Sequence, residues 1–210
     1  MYTLYYLPGT CSLAVHAVLN EVGAEFKTVS VAVADGQPRP ADFLKINPRG
    51  NVPVLEKDGV TQREGAAILV SLLEEHKSPL LPASGTARAA ALEWLMFANA
   101  TLHPAYARCF FQHKALGANA AENPLYAPAI AQVQKLWDDV EQHLSDKPYV
   151  CGAECTIADI LLTVIANWSP MLRQPITFGA NTKAMFNRVI ARPAYQKAMA
   201  AENVTYKVAA

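Results

Sequence analysis

This sequence has few or none of the features that would indicate a secreted, nucleic-acid-binding or membrane protein. Four cysteines in 210 residues are too few for a disulfide framework, so a reducing compartment is expected. Lysine plus arginine and aspartate plus glutamate number 18 each, which favours neither a nucleic-acid partner nor an anionic membrane. No apolar run approaches the roughly 20 residues of a membrane span, and no secretory signal pattern begins the sequence. We therefore expect a cytoplasmic protein without a nucleic-acid or membrane partner.

The remaining composition is that of an ordinary globular protein. Apolar residues make up 52% and charged residues 17% of the chain, which excludes extensive disorder. The length suffices for one large domain or two small ones with a sizeable core. Cys151 and Cys155 have the spacing of half a metal site, but no second cysteine or histidine pair is near them in sequence. We expect no bound metal.

The first eighty residues alternate strand-like and helix-like patterns. The strands are predicted at 3–7, 26–33, 52–57 and 60–63, and the helices at 12–22, 41–46 and 64–75. Asp58-Gly59 between the last two strands is typical of a two-residue hairpin turn. This order predicts a small mixed sheet with helices packed on it.

After residue 80 the pattern becomes helical throughout. Proline, serine and glycine in residues 81–85 indicate a linker, so the predicted domains are 1–80 and 86–210. Pro104 lacks an amide hydrogen and should kink the helix that contains it. The helices are predicted at 86–113, 125–144, 157–168, 182–191 and 193–201. The sequence therefore predicts an α/β domain followed by an all-α helical bundle.

The stretch Pro8-Gly9-Thr10-Cys11-Ser12 joins the first strand to the first helix. A cysteine at the entry to a helix lies near aligned amide dipoles and unpaired N–H groups, which favour the thiolate. The same geometry would stabilise the thiolate of a bound ligand. The stretch lacks the second cysteine of a Cys-x-x-Cys motif, so an internal disulfide cycle is not expected. By itself it indicates either a thiol site or a plain connection.

Two further loops offer binding groups. A cis peptide bond at Val52-Pro53 would expose the backbone N–H and C=O of Val52 to an extended peptide, whereas a trans bond is the ordinary alternative. Glu64 lies at another strand–helix junction, where it either caps helix amides or holds a ligand amine. The amide of Gly65 could meet a carboxylate. A short peptide with a thiol fits all three loops.

The sequence resembles the cytosolic glutathione S-transferases, most closely the bacterial beta class, over nearly the whole chain. The resemblance implies a thioredoxin-like domain followed by a helical domain, a homodimer, and glutathione as co-substrate with no tightly bound cofactor. The motifs that carry it are Tyr5-Tyr6-x-Pro-Gly-x-Cys11-Ser12-Leu13-Ala14-x-His16, Asn47-Pro48-x-Gly50-x-Val52-Pro53-x-Leu55, Glu64-Gly65-x-Ala67-Ile68, Glu93-Trp94-Leu95, Leu102-His103 and Thr156-Ile157-Ala158-Asp159.

The resemblance also implies roles for individual residues. Cys11 would face the glutathione sulfur, with Ser12 and His103 as further catalytic candidates. Val52 would pair with the cysteinyl unit, and Glu64 would help to hold the γ-glutamyl end. The expected glutathione-binding residues are Tyr6, Thr10, Cys11, Asn51, Val52, Pro53, Glu64 and Gly65. The expected electrophile pocket consists of Met96, Asn99, His103, Phe110 and Trp168, the first three spaced to share one helix face.

The sequence departs from the beta class in two places. The loop 32–39 lacks the lysine that contacts the glycine carboxylate of glutathione in that class, and Asp35 stands near the expected position. Arg39 or Arg49 could substitute for it. Met96, Thr101 and Pro104 occupy positions that are polar or charged in relatives, which predicts a more apolar second-substrate pocket.

Three functions are compatible with these residues. The first is conjugation of the glutathione thiol to small hydrophobic electrophiles, as in detoxification. The second is glutathione-dependent thiol–disulfide exchange or peroxide reduction through Cys11. The third is non-catalytic binding of a ligand or partner, which the missing lysine keeps open.

Overall fold

A computed structural model describes residues 1–34 and 37–208 of the chain. The strands are β1 (Tyr2–Tyr6), β2 (Phe26–Ser30), β3 (Val54–Lys57) and β4 (Val60–Arg63). The α-helices are α1 (Ser12–Glu21), α2 (Ala41–Ile46), α3 (Gly65–Glu75), α4 (Gly85–Met96), α5 (His103–Leu116), α6 (Tyr126–His143), α7 (Ile157–Ala166), α8 (Ala180–Ile190) and α9 (Pro193–Ala201). They form two compact units, one of residues 1–83 with 190–205 and one of residues 84–189 with the chain from 206.

The first unit is built on a mixed sheet with the strand order β2-β1-β3-β4. β1 runs parallel to β2 and antiparallel to β3, and β3 forms an antiparallel hairpin with β4. Asp58 and Gly59 in this hairpin have φ values of 49° and 78°. Two residues with positive φ are what a type I′ turn requires, so the predicted Asp-Gly hairpin is confirmed.

Side chains of β1 alternate between two helical layers. Tyr6 lies edge-on to His16 of α1, with ring centroids 6.2 Å apart. Tyr5 points the other way and packs against Phe43 of α2 at 5.7 Å. Leu4, which precedes both tyrosines, is fully buried. One helix layer therefore covers each face of the sheet, as in a thioredoxin-like domain.

The helix α9 packs along α1 and so belongs to the first unit. Tyr195 of α9 is 1% exposed. Arg192, which directly precedes α9, forms an ion pair with Glu21 of α1. The predicted domain 86–210 therefore differs from the observed units over residues 190–205. The reason is that α1 is buried from Ser12 to Leu19, which requires cover on the side away from the sheet as well.

The second unit is helical, with α7 at its centre. Every residue of α7 is buried, as its nearly uniform apolar sequence predicts. The segment from Gly85 to Leu116 is continuous but contains a π-helix at Phe97–Leu102. This π-helix ends two residues before Pro104, which has no N–H to donate an i→i−4 hydrogen bond. A widened turn of helix therefore lies at the position where the kink was expected.

Residues 1–34 and 37–208, which the structure describes, lack two kinds of feature. None of the helices there has the length and apolar character needed to cross a membrane. These residues also bring together no group of three or more His, Cys, Asp or Glu side chains that could hold a metal ion.

Asp159 in the first turn of α7 should be a major contributor to stability. Its carboxylate accepts hydrogen bonds from the N–H of Val150 at 2.9 Å and from the N–H and O–H of Thr156 at 2.8 and 2.9 Å. We expect Asp159→Ala to lower the free energy of unfolding by about 2–4 kcal/mol, because buried donors lose their acceptor. Urea denaturation measures this. The exposed Asp139→Ala is the matched control, and an equal effect of both substitutions would contradict the assignment.

Candidate active site

The topology brings the three loops together at one end of the sheet. β1 ends just before the Cys11 turn and runs antiparallel to β3, which begins just after Val52-Pro53. β4 is antiparallel to β3 and ends just before Glu64-Gly65. The end of an antiparallel strand lies beside the start of its neighbour. All three loops therefore share one sheet edge, as the sequence indicated.

Hydroxyl groups hold the turn that carries Cys11. Ser12 is fully buried, and its Oγ accepts from the N–H of Leu7 at 3.2 Å and donates to the Leu7 carbonyl at 2.9 Å. Thr10 Oγ1 lies 2.9 Å from Ser12 Oγ and donates to the same carbonyl at 3.0 Å. These bonds occupy the hydroxyls that were expected to reach a ligand. These bonds give Ser12 a structural role, and its catalytic role stays a prediction.

Cys11 is half-buried at the entry to α1. Burial raises the pKa of its thiol from 9.0 to about 12, and a backbone hydrogen bond offsets this only in part. The expectation that the helix start favours the thiolate is therefore wrong here, because the cost of burying a charge exceeds the gain from the amide dipoles. At neutral pH, Cys11 presents a neutral S–H, which is a hydrogen-bond donor.

A carboxylate from the end of the chain supports the same turn. Glu202 follows α9, and its side chain is fully buried. Its Oε2 accepts from the N–H of Gly9 at 3.0 Å, and its Oε1 lies 2.9 Å from Nδ1 of His16. Sequence reasoning missed Glu202, because 193 positions separate it from Gly9 and no local pattern marks it.

The second loop has the cis form of the two alternatives that the sequence left open. The Val52–Pro53 peptide bond is cis, Pro53 is buried and Val52 is half-buried. Gly65 lies against the Pro53 ring, where an added Cβ would come within 3.3 Å of the ring Cγ. Asn51 is exposed, and its carbonyl accepts a hydrogen bond from the Asn47 side chain at 2.8 Å. The second and third loops are therefore in direct contact.

Glu64 is directed to the surface and does not cap its helix. It has a φ of 69° and makes no side-chain hydrogen bond to the first amides of α3. Its side chain is 72% exposed and pairs with Nη1 of Arg49 at 2.9 Å. Of the two alternatives for Glu64, the structure removes capping and leaves a carboxylate that a ligand can reach.

The candidates for replacing the missing lysine differ in their surroundings. Arg39 donates to the carbonyls of Val31 at 3.2 Å and Gly50 at 3.4 Å, so its guanidinium supports the loop. Arg49 pairs with a carboxylate at the surface. Asp35 lies outside the described residues.

The two neighbouring tyrosines of β1 lie on opposite faces of the sheet. The hydroxyl of Tyr5 donates to Oε2 of Glu56 at 3.3 Å, on the α2 face of the sheet. Tyr6 is half-buried and lies on the α1 face, the helix that begins beside Cys11. Strand alternation therefore leaves Tyr6 as the tyrosine on the side of the thiol turn.

Three of the expected electrophile-binding residues form one aromatic cluster in the second unit. The rings of His103 and Phe110 lie 5.3 and 6.4 Å from the ring of Trp168. Tyr106, which sequence reasoning missed, joins them at 6.0 Å from Trp168. Burial lowers the pKa of His103, so its imidazole is neutral at neutral pH. In this cluster Tyr106 and Trp168 are buried, and Phe110 and the neutral nitrogen base His103 are half-buried.

The other two expected pocket residues, Met96 and Asn99, lie seven and four residues before His103. Met96 is 40% exposed at the end of α4, and Asn99 is half-buried in the π-helical segment. The π-helix changes the angular spacing of Met96, Asn99 and His103 from that of a regular α-helix. Their shared face was predicted from α-helical spacing, which does not hold across the π-helical segment.

The role assigned to Ser12 can be tested by stability. We expect Ser12→Ala to lower the free energy of unfolding by about 1–3 kcal/mol, since the buried Leu7 N–H loses its acceptor. Urea denaturation of Ser12→Ala and of the exposed control Ser145→Ala measures the difference. Unchanged stability with a loss of catalysis would favour the catalytic role.

The neutral state of Cys11 can be tested by alkylation. Iodoacetamide reacts with the thiolate, so the rate at Cys11 should rise about tenfold per pH unit between about pH 7 and pH 10 without levelling. The cysteine of a short unstructured peptide with blocked ends, in the same tube, should level off above about pH 9. Peptide mass spectrometry separates Cys11 from the other cysteines. A plateau near neutral pH would show a thiolate instead.

Comparisons with known proteins agree with this geometry. The family model described as "Glutathione S-transferase, N-terminal domain" matches residues 1–72, and "Glutathione S-transferase, C-terminal domain" matches residues 98–193. Glutathione S-transferase GstA of Escherichia coli O157:H7 is 31% identical over 207 residues, which cover 96% of this chain and 98% of that protein.

Solved structures extend the similarity to the fold. A sphingomonad glutathione S-transferase complexed with glutathione is 32% identical, with a TM-score of 0.82, over 97% of this chain and 100% of that one. The bacterial beta class enzyme of Sphingomonas chungbukensis is 31% identical, with a TM-score of 0.79, over 97% and 100%. Both family models and relatives that span nearly the whole chain agree: the protein belongs to the glutathione S-transferase family and is of the bacterial type, most similar to the beta class.

Proposed function

We propose that this enzyme joins the thiol of glutathione to small hydrophobic electrophiles, with Cys11 as a hydrogen-bond donor to the glutathione sulfur. The chain is a glutathione S-transferase that uses glutathione as its co-substrate. The observation that carries the proposed role of Cys11 is its neutral thiol at the first turn of α1, on the same sheet edge as the other two loops.

In this proposal, glutathione binds to the first unit through the groups that this edge offers. The backbone of Val52 pairs with the cysteinyl unit as an added strand does. The carboxylate of Glu64 takes the ammonium of the γ-glutamyl unit, and the N–H of Gly65 takes its carboxylate. Asn51, Pro53 and Tyr6 complete the walls. The exposure of Glu64 and the contact of Gly65 with the Pro53 ring support this arrangement.

The Cys11 S–H and the dipole of α1 stabilise the glutathione thiolate, which lowers its pKa. The thiol proton passes to solvent. The thiolate then attacks a carbon of the electrophile, the new S–C bond forms, and the leaving group departs with its electron pair. The second unit supplies the electrophile-binding surface, in which Phe110, with the buried Trp168 behind it, packs on the substrate and neutral His103 offers a hydrogen bond. Met96 and Asn99 lie at its edge.

The raised pKa of Cys11 disfavours the redox alternative. Disulfide exchange through Cys11 requires its thiolate as nucleophile, and a thiol with a pKa of about 12 provides almost none at neutral pH. A hydrogen-bond donor, in contrast, must keep its proton. Conjugation therefore uses the state of Cys11 that the structure favours.

We further propose a homodimer in the cytoplasm. The four cysteines are free thiols, which suits a reducing compartment where reduced glutathione is plentiful. We assign glutathione binding to the domain of residues 1–80 and electrophile binding to the helices that follow the linker 81–85.

Comparing Cys11 variants tests the mechanism. With glutathione and 1-chloro-2,4-dinitrobenzene, Cys11→Ala should keep conjugation within about tenfold of wild type and raise the kinetic pKa of bound glutathione by about one unit, the worth of one hydrogen bond to a charged group. Cys11→Ser keeps a donor and should restore the pKa. The redox function would be favoured by two results. Wild type would rapidly form a mixed disulfide at Cys11 when mixed with glutathione disulfide at neutral pH, and Cys11→Ala would lose exchange activity while its conjugation stayed unchanged. No binding of millimolar glutathione would contradict the enzyme proposal altogether.

A further inference from the structure

Three arginines surround the loops before β3 and after β4, and two of them are used by the loop backbone. Arg39 donates to two carbonyl oxygens, those of Val31 and Gly50. Arg63 donates to the carbonyl of Ile46. These two guanidinium groups hold the loop in shape, so neither can turn to a ligand without releasing it.

Arg49 differs because its partner is a side chain at the surface. Its Nη1 lies 2.9 Å from Oε1 of Glu64, and the two side chains are 69% and 72% exposed. An exposed pair of this kind adds little to stability, so a ligand can separate its members at low cost. Glu64 is also the carboxylate expected to receive the ammonium of glutathione.

The amino-acid end of glutathione carries both charges on one carbon atom. When its ammonium takes Glu64, Arg49 loses its partner, and the α-carboxylate of the ligand arrives beside it. A carboxylate and a guanidinium fit each other through two parallel hydrogen bonds. One ion pair of the protein is thus replaced by two ion pairs with the ligand.

We propose that Arg49 is a specificity residue that binds the α-carboxylate of the γ-glutamyl unit, and that the Arg49–Glu64 pair recognises zwitterionic amino-acid ends. This rests on the proposed glutathione binding and adds a residue to it. Arg49 then competes for Glu64 with any ligand that has an ammonium but no neighbouring carboxylate. It also follows that Arg49 does not replace the missing lysine at the glycine end.

The test compares two ligands with opposite expected responses. γ-Aminobutyryl-cysteinylglycine keeps the ammonium of glutathione and lacks only its α-carboxylate. By calorimetry, Arg49→Gln should weaken glutathione binding about fivefold, because an exposed charge pair is lost. The same substitution should leave binding of the analogue unchanged or tighten it about twofold, because a competitor for Glu64 is removed.

Controls separate this proposal from the one on which it rests. Lys45→Gln removes an equally exposed positive charge of the first unit, paired with Asp42, and should change neither affinity. Equal weakening of both ligands by Arg49→Gln would overturn the proposal, as would a loss that disappears with γ-glutamylcysteine, which lacks only the glycine. If wild type binds glutathione and Arg49→Gln binds it equally well, the role of Arg49 alone fails. If wild type does not bind glutathione, the proposed function fails first.

Discussion

The antiparallel pairing of β1 with β3 is the constraint on which the site depends. It places the end of β1 beside the start of β3, so the turn with Cys11 must lie next to the cis bond before Pro53. The hairpin to β4 then returns the chain to the same edge and delivers Glu64 there. Paired residues as far apart in sequence as Tyr5 and Val54 thereby reach one another through backbone hydrogen bonds alone. Side chains add the chemistry to an arrangement that the strand order has already set.

Burial and helix dipole act on Cys11 in opposite directions, and burial prevails. The first turn of a helix offers amide dipoles worth about 1 kcal/mol to a negative charge near it. Removing a thiolate from water costs more than that, so the pKa rises to about 12. The same amides can still stabilise a ligand thiolate that lies further out, where water is closer. A protonated cysteine and a deprotonated ligand thiol are therefore compatible at one helix start.

Patterns within a few residues were sufficient to predict much of the fold and part of the site. The Asp58-Gly59 hairpin depends on neighbours in sequence and is confirmed. The hydrogen bonds between Thr156 and Asp159 at the start of α7 are equally local. The position of α9, the π-helix before Pro104 and the contact of Glu202 with Gly9 depend on packing between distant segments. The burial of Ser12 and its hydrogen bond with Leu7 are likewise visible only in three dimensions.

Two acidic side chains near the thiol turn show how burial decides what a charge can do. Glu202 is fully enclosed with His16 and the amide of Gly9, and removing either partner would leave an unsatisfied polar group in the interior. Such a contact cannot be exchanged with a ligand. Glu64 and Arg49 form a pair with similar separation at the surface, where water compensates each group when the other leaves. The buried acid therefore fixes the shape of the site, and the exposed one is free to change partners when a ligand arrives.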